Sequence, residues 1–141
     1  MTGFRRIARI VLGLAVPFLA GCRSSIHGSE IAGLYVLEGG VAGDTLRLGA
    51  DGDWHRSSVS PNGQRELSRG TWSTRLDQYD DVWVVLERFT PPAVSGIHQS
   101  SGSSTVGYQL VRSSRGDVTI DVSRDRGLKY VQAAPEVTSG R

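Results

Sequence analysis

Three histidines, a short run of carboxylates and a serine-rich stretch are the residues of this 141-residue chain that could do chemistry. His27, His55 and His98 stand far apart, and no two have the i, i+4 spacing that puts paired metal ligands on one helix face. Asp77, Asp80 and Asp81 place three carboxylates around Tyr79, and oxygen clusters of this kind hold hard cations such as calcium. The Asp-x-Asp-x-Asp-Gly loop pattern is missing, however, so the segment reads as a solvated turn. Ser95–Ser104 offers many hydroxyls, but no Gly-x-Ser-x-Gly elbow frames any of them. A flexible Ser/Gly loop supplies neither a held base nor a rigid oxyanion hole. These residues support no catalytic assignment, no metal site and no cofactor. The alternative is a small hydrolase or metal-dependent enzyme that brings His55 or His98 together with Asp77–Asp81.

The one cysteine, Cys22, is the exception, and its place in the chain is what matters. Met1–Arg9 carries Arg5, Arg6 and Arg9 with no acid, and Ile10–Ala20 follows as an apolar run of eleven residues. A bilayer-spanning helix needs about 20 apolar residues, so the run fits the apolar core of a secretory signal instead. It ends in Leu19-Ala20-Gly21-Cys22, which resembles the lipobox of bacterial lipoproteins. That resemblance implies removal of Met1–Gly21 (a signal-peptide helix), lipid on Cys22, and an anchored mature chain. Arg23 follows the cysteine. In Gram-negative lipoproteins an Asp there commonly retains the protein at the inner membrane, so Arg implies the outer membrane, facing the periplasm.

With the leader set aside, the charge balance changes sign. Three of the sixteen basic residues precede Cys22 and none of the fourteen acids does, leaving thirteen against fourteen. A nucleic-acid partner would need a basic surface, and this body has no excess of cations for one. A lone cysteine excludes an internal disulfide and a Cys-based metal site. The length suits one domain with one modest core.

Turn residues divide the rest into short apolar runs. Cys22–Glu30 reads as a polar tether. Strands are predicted at Gly33–Glu38, Thr45–Gly49, Trp54–Val59, Gln64–Thr74, Val82–Phe89, Val106–Arg112, Val118–Val122 and Leu128–Gln132. Val118, Ile120 and Val122 face one way and Thr119, Asp121 and Ser123 the other, the alternation of a half-buried strand. Ala50–Asp53 is a turn with a mechanism, since Gly52 tolerates positive φ and Asp51 can bond nearby backbone. Thr90–Thr105, with Pro91-Pro92 and Ser95–Ser104, reads as a mobile surface loop, and Ile97 within it is an apolar residue with no strand to bury it. Ala133–Arg141 reads as a flexible tail.

Eight such strands imply an all-β domain over Ile31–Gln132, a single antiparallel up-and-down barrel. Leu46, Leu48, Trp72, Val84, Leu86, Ile120 and Tyr130 are expected among its most buried residues. Trp54, Trp72 and Trp83 should fill the interior rather than line a cavity. The run Gly33-Leu34-Tyr35, Thr45–Leu48, Asp51–Trp54 and Gly70-Thr71-Trp72 resembles small lipocalin-like and other meander-barrel lipoproteins. Lysozyme-inhibitor lipoproteins are also small barrels, but neither Ser95-Gly96 nor Ser101-Gly102 continues into their S-G-x-x-Y motif. The expectation is therefore a non-enzymatic envelope lipoprotein, held to the membrane through Cys22, whose barrel binds a small apolar ligand or an envelope protein.

Overall fold

The computed structural model describes residues 26–60, 62–92 and 102–134. A single helical turn, α1 (Gly28–Ile31), precedes eight strands: β1 Gly33–Glu38, β2 Thr45–Leu48, β3 Asp53–Val59, β4 Arg65–Leu76, β5 Val82–Phe89, β6 Ser104–Arg112, β7 Val118–Ser123 and β8 Leu128–Gln132. Each strand pairs antiparallel with the next, and β8 returns to β1, so the sheet closes as an up-and-down barrel. The predicted fold class stands. The limits of β1, β5 and β8 match their expected residues, while β4 runs on to Leu76 and β6 starts earlier, at Ser104. Cys22, His98, Ile97 and the Ser95–Ser101 part of the loop lie outside the described residues.

Period-two patterning drives the closure. Tyr35 and Leu37, Leu46 and Leu48, Val84 and Leu86, Val118 and Ile120, and Leu128 and Tyr130 all point inward and are buried, with Trp54 and Phe89 fully so. An eight-stranded barrel encloses just enough space for its own side chains. Here those side chains form one contiguous cluster. Six of the seven expected core residues are at most 1% exposed. Trp72 is the correction: it is only half-buried, because its indole turns to the rim and donates to the Gly49 carbonyl at 2.8 Å. Trp83 corrects the expectation that all three tryptophans fill the interior. It faces outward on β5, half-buried, with Arg75 stacked 5.9 Å from its ring.

In an up-and-down barrel the connections alternate between two ends. The β2–β3, β4–β5 and β6–β7 turns share one end with α1, and the other four connections share the far end. Ile31 plugs the α1 end, fully buried, and its carbonyl accepts the Tyr35 hydroxyl at 2.6 Å. Glu30 pairs with Arg112 at 2.9 Å, and Gln132 donates to the Glu30 carbonyl at 3.1 Å. The last residues of the polar tether are thus a docked part of the barrel.

The seam between β4 and β5 is incomplete. β3 pairs with β4 over Arg65–Thr71, whereas β5 pairs with β4 only over Trp72–Leu76. A bulge between Leu86 and Phe89, with Arg88 at φ 58°, shifts the register and brings Phe89 back to the inner face. The first half of β4 is left as an overhang at the far end, paired on one side only, with β3.

Candidate functional site

A charged pair sits inside the far end. Asp44 precedes β2 and Arg56 lies on β3, inward like Trp54, and they are 3% and 6% exposed. Arg56 grips Asp44 with two bonds, Nε to Oδ1 at 3.0 Å and Nη2 to Oδ2 at 2.5 Å. Tyr130 donates its hydroxyl to Asp44 Oδ1 at 3.0 Å, and Arg56 Nη1 donates to the Thr90 carbonyl. The guanidinium also lies 5.1 Å from the Phe89 ring. Three strands and two loops therefore meet on one ion pair. Such a pair tolerates burial only when its remaining donors and acceptors are engaged.

Burial and charge fix the protonation of these groups. Burial opposes charge on Arg56, but the Asp44 hydrogen bond and the surrounding groups outweigh it, so the net shift is upward. Burial pushes the Tyr130 phenol far above its ordinary range. It lifts Tyr108 to about 12, with Arg56 pulling the other way. Near neutral pH Arg56 is cationic and both phenols are protonated. What they offer a visitor is hydrogen bonds rather than a mobile proton.

Above this pair opens a cleft of about 290 Å³. Arg56 and Asp44 form its floor. Ser58 of β3 and Ser68 and Glu66 from the overhang stand on one side, with Val41 of the β1–β2 loop and Thr90 and Pro91 opposite. The cleft is the incomplete seam seen from the far end.

The residues singled out from sequence do not gather there. His27 is exposed at the start of α1, and its backbone N–H donates to Glu30 Oε2 at 2.8 Å. His55 is exposed on the outer face of β3, between Arg47 and Arg69 in the cross-strand register. Asp77, Asp80 and Asp81 form the β4–β5 turn at the α1 end. Asp77 Oδ1 accepts the N–H groups of Tyr79 and Asp81 at 2.8 and 3.0 Å, and its Oδ2 accepts the Trp83 indole at 3.1 Å. That carboxylate is used as a turn brace. Among the described residues no three His, Cys, Asp or Glu side chains converge. Phe89 and Ser104, the strand ends on either side of His98, lie at the opposite end to the Asp77–Asp81 turn, and His98 itself is outside the described residues.

Sequence reasoning missed Asp44 and Arg56. The available signal was Arg56 itself, a charge at an inward position two residues from Trp54. Its partner lies twelve residues upstream, across β2 and the β2–β3 turn, so no local pattern joins them. Comparison with family models, with curated proteins and with solved structures yields no match.

Proposed function

We propose that this chain is a lipid-anchored bacterial envelope protein that binds an envelope partner and catalyses no reaction. The leader and Leu19-Ala20-Gly21-Cys22 support the anchor, and Arg23 supports the outer membrane, facing the periplasm. The observation that carries the binding role is the division between the two ends. The chain enters at α1, pinned to one end by Glu30 and Ile31, and the cleft opens at the other. Only Arg23–His27 separates Cys22 from α1, a reach of about 17 Å at roughly 3.3 Å per residue. A barrel tied so closely presents its far end away from the bilayer, toward partners in the periplasm. A side-chain-filled interior favours docking at that end over a small apolar ligand enclosed by the strands.

Two measurements test this. Intact-mass analysis of the membrane fraction should find Met1–Gly21 removed and Cys22 acylated, and Cys22→Ser should accumulate unlipidated precursor. A free thiol at Cys22 would overturn the anchor. Photo-crosslinking residues placed at Val41 or Leu67, at the far end, should capture a partner in intact cells. The same residues at Ala50 or Gln78, at the α1 end, should not. Equal capture from both ends would overturn the docking role.

A further inference from the structure

The overhang has an unusual exposure pattern. All five residues of Arg65–Arg69 are exposed, so both faces of this half-strand meet solvent, and Leu67 is 80% exposed. Its β3 side is fully paired. On its other side, the β5 ladder begins only at Trp72. Among the described residues, the backbone N–H and C=O groups of Arg65–Gly70 that point away from β3 thus have no ladder partner. An open edge of this kind is a template for another strand.

We propose that this edge of β4 takes up an extended, acidic segment of the partner as an added strand, with its inner residues over the Arg56–Asp44 cleft. This rests on the reading of the barrel as a partner-binding module and names what that partner offers. Arg65, Leu67 and Arg69 share the outward face, and no ion pair among the described residues includes either arginine. Arg88 adds a further cation at the neighbouring bulge. Of the acids close by, Glu66 points to the inner face, Glu87 is held by the Thr71 hydroxyl at 2.9 Å, and Asp53 lines the hollow beside Arg69 and Arg88, leaving Arg65 with none on its outer face.

That outward face selects among occupants. A second copy pairing antiparallel about Leu67 would set each Arg65 opposite the other copy's Arg69, and like charges directly opposite destabilise a strand pair. A segment reading acidic-x-apolar-x-acidic instead places a carboxylate opposite each arginine and covers Leu67. Its intervening side chains turn inward to Ser58, Glu66 and Ser68, so small hydroxyl residues suit them.

The test uses the purified full chain in detergent micelles and a blocked synthetic peptide, Ser-Glu-Thr-Val-Thr-Glu-Ser, with binding followed by fluorescence anisotropy. Saturable binding is expected. Replacing both glutamates by lysine, or methylating the peptide's alternate backbone nitrogens, should abolish it. The Arg65→Glu/Arg69→Glu chain should lose about tenfold or more in affinity for the acidic peptide and gain the lysine peptide in its place. Its exposed sites should leave the circular dichroism spectrum unchanged. Indifference to charge reversal would overturn the proposal. So would a dimer of the full chain built on this edge, or binding seen only after residues 93–101 are deleted. If crosslinked capture at the far end survives the charge reversal, strand addition falls and the docking role stands. If the peptide binds but no partner is captured, the docking role falls and the edge chemistry stands.

Discussion

Trp54 on β3 donates its indole N–H to the carbonyl of Glu87 on β5 at 3.0 Å, across the strand that lies between them. Gly70 of β4 makes the crossing possible. A Cβ there would lie 2.3 Å from the Glu87 oxygen and 2.7 Å from the indole nitrogen. The bond falls where the β4–β5 ladder gives out, so a side chain closes the barrel where backbone pairing stops. Phe89, just past the bulge, completes the joint edge-on to Trp54 at 5.2 Å.

Gly70→Ala is therefore expected to cost about 1–3 kcal/mol by overpacking. Trp54→Phe should cost a similar amount, because it leaves the inward Glu87 carbonyl without its donor. The double variant should cost less than the sum, since the smaller ring makes room for the added methyl. Urea unfolding with an unchanged m-value measures all three. A Gly70→Ala cost under about 0.5 kcal/mol would show that the seam yields freely.

The ion pair makes a second prediction. Arg56→Ala or Asp44→Ala strands one charge inside the barrel and should each cost about 3–5 kcal/mol. Replacing both, as Asp44→Leu with Arg56→Met, removes the charges together and should cost far less than either single change. Tyr130→Phe should cost about 1 kcal/mol through its lost bond to Asp44. Additive single and double costs would mean that the two side chains are not coupled.

How much of this could be read from sequence follows from which interactions are local. The strands were legible, because Val118, Ile120 and Val122 or Leu46 and Leu48 declare their face within a few residues. The Asp51 turn was legible too: Gly52 has φ 90°, and Asp51 Oδ1 accepts the Asp53 N–H at 3.1 Å. Trp72 was misjudged because alternation gives the face but not the depth, and this ring stands at the rim. The Asp44–Arg56–Tyr130 contact was invisible, since Tyr130 is 86 residues from Asp44 and meets it only after β8 closes on β1. The gap beside β4 was equally hidden. It depends on where β5 bends, and that follows from a bulge that no single residue type announces.

Strand faces can be checked directly. Leu86 is fully buried on β5, so Leu86→Ala should cost about 2–5 kcal/mol by leaving a cavity. Thr119 is half-buried on the outer face of β7, and its hydroxyl donates to the Val111 carbonyl at 3.1 Å. Thr119→Ala should cost about 1 kcal/mol or less. Thermal melts that rank the two the other way would contradict the inward assignment of β5.

The Asp77 brace should appear in the acid limb of stability. Its carboxyl is held below the ordinary value of 3.8, chiefly by the Tyr79 N–H; burial opposes this next, and the Asp81 N–H, the Trp83 indole and Arg75 add to the lowering. A carboxyl that binds its proton less readily when folded stabilises the fold above its unfolded value. That contribution is lost as pH falls through the depressed folded value. The wild type should therefore exceed Asp77→Asn in stability at about pH 5, and the gap should narrow as pH falls below the ordinary carboxylate range. Asparagine keeps an oxygen for the backbone donors but carries no charge and sets an NH2 where Oδ2 accepts the Trp83 indole, so a constant loss comes with the pH-dependent one. Urea midpoints collected across that range, followed by tryptophan fluorescence, read the difference. A gap that stays constant through the acid limb would mean that the brace works through shape alone and that its charge contributes nothing.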